Sequence, residues 1–180
     1  MQNIEAILKG VNETDTLVVG AHYDSAHGTP GADDNASGSA AILEIARLSK
    51  RLGLYSDAPK SQKYPILVGL LYPSQGNFVG FVGDTGSRDL VRQATKAFRE
   101  SCDFPSEGLS APSSWPGVGW SDHWSFWKQG VPAIMVTDTA LFRNPHYHRS
   151  TDTQDKLDFE KLASVVSGLS RTLVKMANKI

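Results

Sequence analysis

The stretch VVGAHYDSAHGTPGADDNASGSAAILEIAR, from Val18 to Arg47, constrains this chain more than any other. A β-branched apolar run leads into it and a run with helical periodicity leaves it. Between the two, His22, Asp24, His27, Asp33 and Asp34 crowd into thirteen residues. Adjacent carboxylates repel unless something positive sits beside them. In α/β sheets, functional sites gather in the loops beyond strand ends. A metal site would account for this concentration of polar groups, and the rest of the chain then decides whether that site is complete.

The remaining segments alternate in the same way. TLVVGAH (Thr16–His22) reads as a buried strand. ASGSAAILEIARLSKRLG reads as a helix, with Asn35 as its cap, Gly53 as its stop, and Ala41, Ile42, Ile45, Ala46, Ser49 and Leu52 at helical spacing. YPILVGLLYP and NFVGFVG are two further apolar runs bounded by Pro, Gly and Asn. SRDLVRQATKAFRESC is amphipathic, with Leu90, Val91, Ala94, Ala97 and Phe98 on one face and Ser87 able to cap it. SDHWSFWKQG is a short helix closed by Gly130, and PAIMVTD is another buried strand. DFEKLASVVSGLSRTLVKMANKI is a long helix with Leu162, Val165, Val166, Leu169, Leu173 and Met176 inward. YSDAPKSQKYP (Tyr55–Pro65) is the most linker-like segment, and SEGLSAPSSWPGVGWS reads as a polar loop. Alternating strands and helices predict one α/β domain over residues 1–180, with a largely parallel sheet.

Composition removes several functions. Eighteen basic against nineteen acidic residues leave a net charge of −1, with no basic stripe for nucleic acid. The single cysteine, Cys102, excludes an internal disulfide and a cysteine-based zinc cluster. No apolar run approaches the roughly 20 residues that span a membrane. The opening MQNIEAILKG lacks the basic-then-apolar pattern of a signal peptide, which leaves localisation open.

Each candidate residue has an ordinary reading beside a chemical one. His22 and Asp24 form His-x-Asp at a strand end, where side chains two apart leave on the same side. An imidazole that binds a metal usually gives its other N–H to a carboxylate, a task open to Asp24. The pair also suits a plain polar loop. Asp33 and Asp34 suit either a capping pair at a helix start or a carboxylate that bridges cations. His146 and His148, in NPHYHRSTDT, suit a chelating pair or a turn. Asp122 and His123, among tryptophans, suit a site or a helix cap. His27, Trp120, Trp124 and Trp127 carry little specific signal. Gly83–Asp84–Thr85–Gly86 lacks the lysine and spacing of a phosphate-binding loop.

Taken together, GAHYDS, GADDNASGSAAILEIAR, SDHWSFWKQGVPAIMVTD and HYHRSTDTQDKLD resemble the co-catalytic zinc aminopeptidases, relatives of the glutaminyl cyclases. The likeness runs in order from about Asp15 to Leu169. It implies a three-layer α/β sandwich around a mostly parallel sheet, and a peptide or aminoacyl substrate. It also implies zinc held by His22, Asp34 and His148, with Asp34 in the bridging place. Asp24 and Asp122 then orient ligands or relay protons.

The family pattern also contains a Glu-Glu pair after the first helix: a general base and a zinc ligand. A further acidic ligand follows one strand later. This chain has no glutamate between Glu44 and Glu100, and Glu44 belongs to the AILEIAR helix. Where the last acidic ligand would stand, just before YSDAP, there is Lys50 or Arg51. An internal block is missing, with its flanks joined between about Lys50 and Leu54. Two imidazoles and one carboxylate make a site for one zinc per chain with an open position, not two. Without its base, which typically gives 10²–10⁴-fold, weak peptidase activity is expected. The alternatives are a metal-binding relic without turnover and a single-zinc glutaminyl-cyclase-like acyltransferase. Loss of a strand also exposes a sheet edge, through which a homodimer is expected.

Overall fold

The computed structural model describes residues 16–49 and 76–177. YPILVGLLYP, the Tyr55–Pro65 segment, Gly53 and the expected junction between Lys50 and Leu54 lie outside them. The described elements are helix α1 (Ser37–Ser49), strand β1 (Val79–Gly83), helix α2 (Arg88–Arg99), strand β2 (Ser106–Ser110), helix α3 (His123–Trp127), strand β3 (Ile134–Thr137), helix α4 (Ala140–Arg143) and helix α5 (Phe159–Ala177).

The sheet has the order β2-β1-β3. β1 pairs parallel with β2 and antiparallel with β3. The described sheet is therefore mixed where a largely parallel one was expected. β1 is buried along its whole length, as a central strand must be when both faces are covered. Val79 and Phe81 face α2 and α5, packing with Val91, Ala94, Phe98, Val165 and Leu169. Val82 faces the other side, with Ala111, Val118, Met135 and Trp127. α1 lies on the far flank of α5, through Ile45, Leu48, Val166 and Leu173. The inward residues expected of α5 are found there; on α2 Val91, Ala94, Ala97 and Phe98 are buried as expected, while Leu90 is half-buried and Thr95 takes a buried place instead. Gly168 lets these two helices approach: a Cβ at that position would lie 2.6 Å from the Phe98 ring.

Three local expectations are corrected. TLVVGAH is not a strand. Extended backbone becomes a strand only when a neighbour completes its ladder, and none does so among the described residues. SEGLS, expected in a polar loop, forms β2. The main chain of β1 supplies its ladder, and Gly108 leaves room for Thr95, whose Oγ1 would lie 2.9 Å from a Cβ. Ser87 does not cap α2 through its hydroxyl. Its Oγ accepts the Ala133 N–H at 3.2 Å, and the Asp84 carboxylate instead accepts the Ser87 N–H at 2.8 Å. Asn35 behaves as expected: its Oδ1 accepts the Gly38 N–H at 3.1 Å, the bond of an N-cap.

Candidate metal centre

Three arms of the chain meet beside the start of α1. The first carries His22. Its carbonyl accepts a hydrogen bond from the Ser39 hydroxyl at 3.1 Å, which ties the arm to α1. Its Nδ1 lies 3.1 Å from the Asp24 carbonyl and 3.3 Å from the Asp24 carboxylate. With the Nδ1 proton donated there, Nε2 is left with a free lone pair, the tautomer a metal ligand needs.

The second arm is the tight turn Ala32–Ala36. It opens on Gly31, whose φ of 66° is left-handed, and a Cβ there would lie 2.4 Å from Ser25 Cβ. Asp34 and Asn35 leave helical geometry, at φ −117° and −143°, so the turn and α1 are not one continuous helix. The third arm follows α4. Asn144 donates to the Asp33 carboxylate at 2.6 Å, while its own Oδ1 accepts the His146 N–H. His148 sits at φ 56°, in the left-handed region that residues with a Cβ seldom occupy. Tyr147 stacks on its ring, with centroids 4.0 Å apart.

These arms bring together His22, Asp34 and His148, 126 positions apart at their extremes. His22 Nε2 lies 3.3 Å from Asp34 Oδ1, and His148 Nε2 lies 2.9 Å from Asp34 Oδ2. One imidazole therefore addresses each carboxylate oxygen. Adjacent donors around a tetrahedral zinc, each about 2.0–2.1 Å from the ion, are separated by roughly 3.3 Å. The donors suit zinc in type, and each imidazole nitrogen lies near one oxygen of Asp34. In number they are few: among the described residues, no three His, Cys, Asp or Glu side chains converge on one point.

The surrounding carboxylates are electrostatically strained. Burial pushes the Asp33 carboxyl up; the Asn144 hydrogen bond opposes this, and the charges of Asp152 and Asp34 add to it. Asp138 caps α4 by accepting the Ala140 N–H at 2.8 Å.

The hydrogen bonds of His146 and His123 go to groups other than these three. Asp122 is exposed at the start of α3, and its carboxylate makes no hydrogen bond to His22, Asp34 or His148. His146 turns its Nδ1 to Thr151 at 2.8 Å. His123 is buried, with Nε2 at 2.6 Å from the Val118 carbonyl and its ring edge-on to Trp127. Sequence reasoning missed Asn144, Asp138 and Asp152. The only available signal was that Asp152 falls four residues after His148.

Comparison with known proteins identifies the family. The sequence profile of Peptidase family M28 matches residues 3–72 and 63–173, two pieces that together span most of the chain. An Escherichia coli K12 protein described as "Uncharacterized protein YfbL" is 35% identical over 208 aligned positions, covering 85% of this chain and 64% of its own length. A "Probable leucine aminopeptidase" of Trichophyton verrucosum is 28% identical over 221 positions, covering 98% of this chain and 58% of its own. The chain thus spans less than two thirds of these relatives. Both alignments are longer than its 180 residues, so within the matched span the relatives carry residues that have no counterpart here. The fold is that of the aminopeptidase from Aneurinibacillus sp. strain AM-1, with a TM-score of 0.60 at 21% identity, covering 86% of this chain and 42% of that one. The profile covers well over half of the chain, including the arms that carry His22, Asp34 and His148, and the chain belongs to Peptidase family M28.

Proposed function

We propose that this chain is a zinc-dependent exopeptidase of aminopeptidase type that releases N-terminal residues from peptides, with low turnover. The observation that carries the reading is the Asp34 carboxylate, flanked by one imidazole nitrogen on each oxygen. His22, Asp34 and His148 are the residues that would hold one zinc per chain, with an open position, if the two imidazoles, which face different oxygens of Asp34, closed on one ion. The chemistry that zinc supplies when bound there is Lewis acidity toward water and the scissile carbonyl.

This chain's own residues orient the donors. Asp24 holds the His22 imidazole through Nδ1, Tyr147 lies flat against His148, and Asn144 links the third arm to Asp33. A proton-relay role for Asp122 is supported by the family resemblance alone. Low turnover follows from the absence of any glutamate between Glu44 and Glu100. A positioned base typically contributes 10²–10⁴-fold. The same absence favours a second reading, a metal-binding chain without turnover.

Metal content per chain and hydrolysis of an aminoacyl chromogenic amide test both. About one zinc per chain is expected, with metal and activity both lost in Asp34→Ala. Zinc uptake with hydrolysis equal to the Asp34→Ala background would leave the second reading. No zinc uptake would end both.

A further inference from the structure

Asp152 stands outside every role assigned so far, yet it is 1% exposed. Burying a carboxylate is unfavourable unless donors surround it. Its donors are specific. Oδ1 accepts the Asp33 N–H at 3.1 Å and Oδ2 accepts the Asp34 N–H at 3.3 Å. Its own carbonyl accepts the Ala32 N–H at 3.2 Å. Three consecutive residues of the second arm are thus bonded to one residue of the third.

The reason lies in how the second arm begins. The first N–H groups of a helical turn have no partner within it. A side chain at the preceding residue usually accepts one of them, but that residue is Gly31, which has none. Asp152 does this from 118 positions away, and its negative charge suits the exposed N–H dipoles. It lies on the same short loop as His148, which is closed by Arg149 N–H to His146 O at 2.9 Å and Asp152 N–H to Arg149 O at 3.1 Å. One buried carboxylate therefore joins the backbone of Asp34 to the loop that presents His148.

We propose that Asp152 is a positioning residue for the metal centre, holding the Asp34 and His148 arms at the separation that lets both side chains serve one ion. The inference rests on the metal reading above. An asparagine here keeps one acceptor and turns an NH₂ toward the other backbone N–H, releasing one of the two arm contacts. A glutamate keeps the charge and displaces it by one methylene.

The test is zinc affinity of the metal-free full chain, titrated with zinc against a chromophoric chelator well below the unfolding temperature. Folding is monitored by circular dichroism. Asp152→Asn is expected to fold and to bind zinc about 10–100-fold more weakly than the parent, the usual loss when a partner behind a ligand is removed. A folded Asp152→Asn with affinity within about twofold of the parent overturns the inference, because a purely structural carboxylate would change stability and not affinity. If Asp152→Asn does not fold, Asp152→Glu decides by the same criterion. If neither folds, Asp152 serves the fold at large and the inference fails. A parent that takes up no zinc removes the metal reading and this inference with it. A parent that binds while Asp152→Asn binds equally well removes this inference alone.

Discussion

NFVGFVG (Asn77–Gly83) and TLVVGAH (Thr16–His22) are close in length, apolar content and glycine placement, yet the molecule treats them oppositely. Val79–Gly83 of the first becomes β1, hydrogen-bonded on both sides and buried throughout. The second runs without regular structure, and Val18 is 66% exposed. Propensity does not separate them. What differs is company: β1 has β2, β3, α2 and α5 around it, while no described strand pairs with 16–22. Strand formation is settled between segments, and side-chain packing on a pleated surface follows from that pairing. The exposed run leads directly into His22, the first arm of the candidate metal centre, which the Ser39 hydroxyl ties to α1. The second and third arms hold each other through Asp152 and Asn144 instead.

Substitutions on the two sides of this contrast should differ sharply. Phe98, 0% exposed beneath β1, is expected to cost about 3–5 kcal/mol on replacement by alanine, from lost burial and the cavity left. Denaturant unfolding measures this; a cost below about 1 kcal/mol would break the picture of a closed half.

A smaller effect should come from pH. Burial lowers the pKa of His123, against the Val118 hydrogen bond. The folded state therefore binds fewer protons than the unfolded state just below the unfolded value of about 6.5. Stability from this group is complete above that value and declines as pH falls through it toward the lower folded pKa. Unfolding midpoints between pH 7.5 and 5 should show this decline, and His123→Phe should flatten it. An unchanged slope would assign the decline elsewhere.

The smallest effect is expected at the exposed run. Val18→Ser should change stability by no more than about 0.5 kcal/mol. A loss comparable to that of Phe98→Ala would mean that 16–22 is covered in solution, and a mass measurement by light scattering would show whether a second copy covers it.

Much of the closed half was legible in the sequence. The 3.6-residue spacing in α2 and α5 is fixed by the residues themselves, and so is which face each helix buries. His22, Asp34 and His148 were legible as residues because motif resemblance marks them. β2 was not, because SEGLS carries no apolar alternation. Its strand state comes from the ladder β1 offers and from Gly108 giving Thr95 room. Asp152 was not legible either, since a buried acid has no local signature and its partners lie more than a hundred positions away.

The sequence by itself determined the long helices and the family, and it marked His22, Asp34 and His148 as candidate donors. These depend on periodicity and on side-chain type, both of which are local. Only the tertiary structure decided which apolar run becomes a strand, and that each imidazole faces its own oxygen of Asp34. It alone decided that Asp152 ties the arms together. Each of these is a contact between segments distant in sequence, and such contacts exist only once the chain has closed on itself.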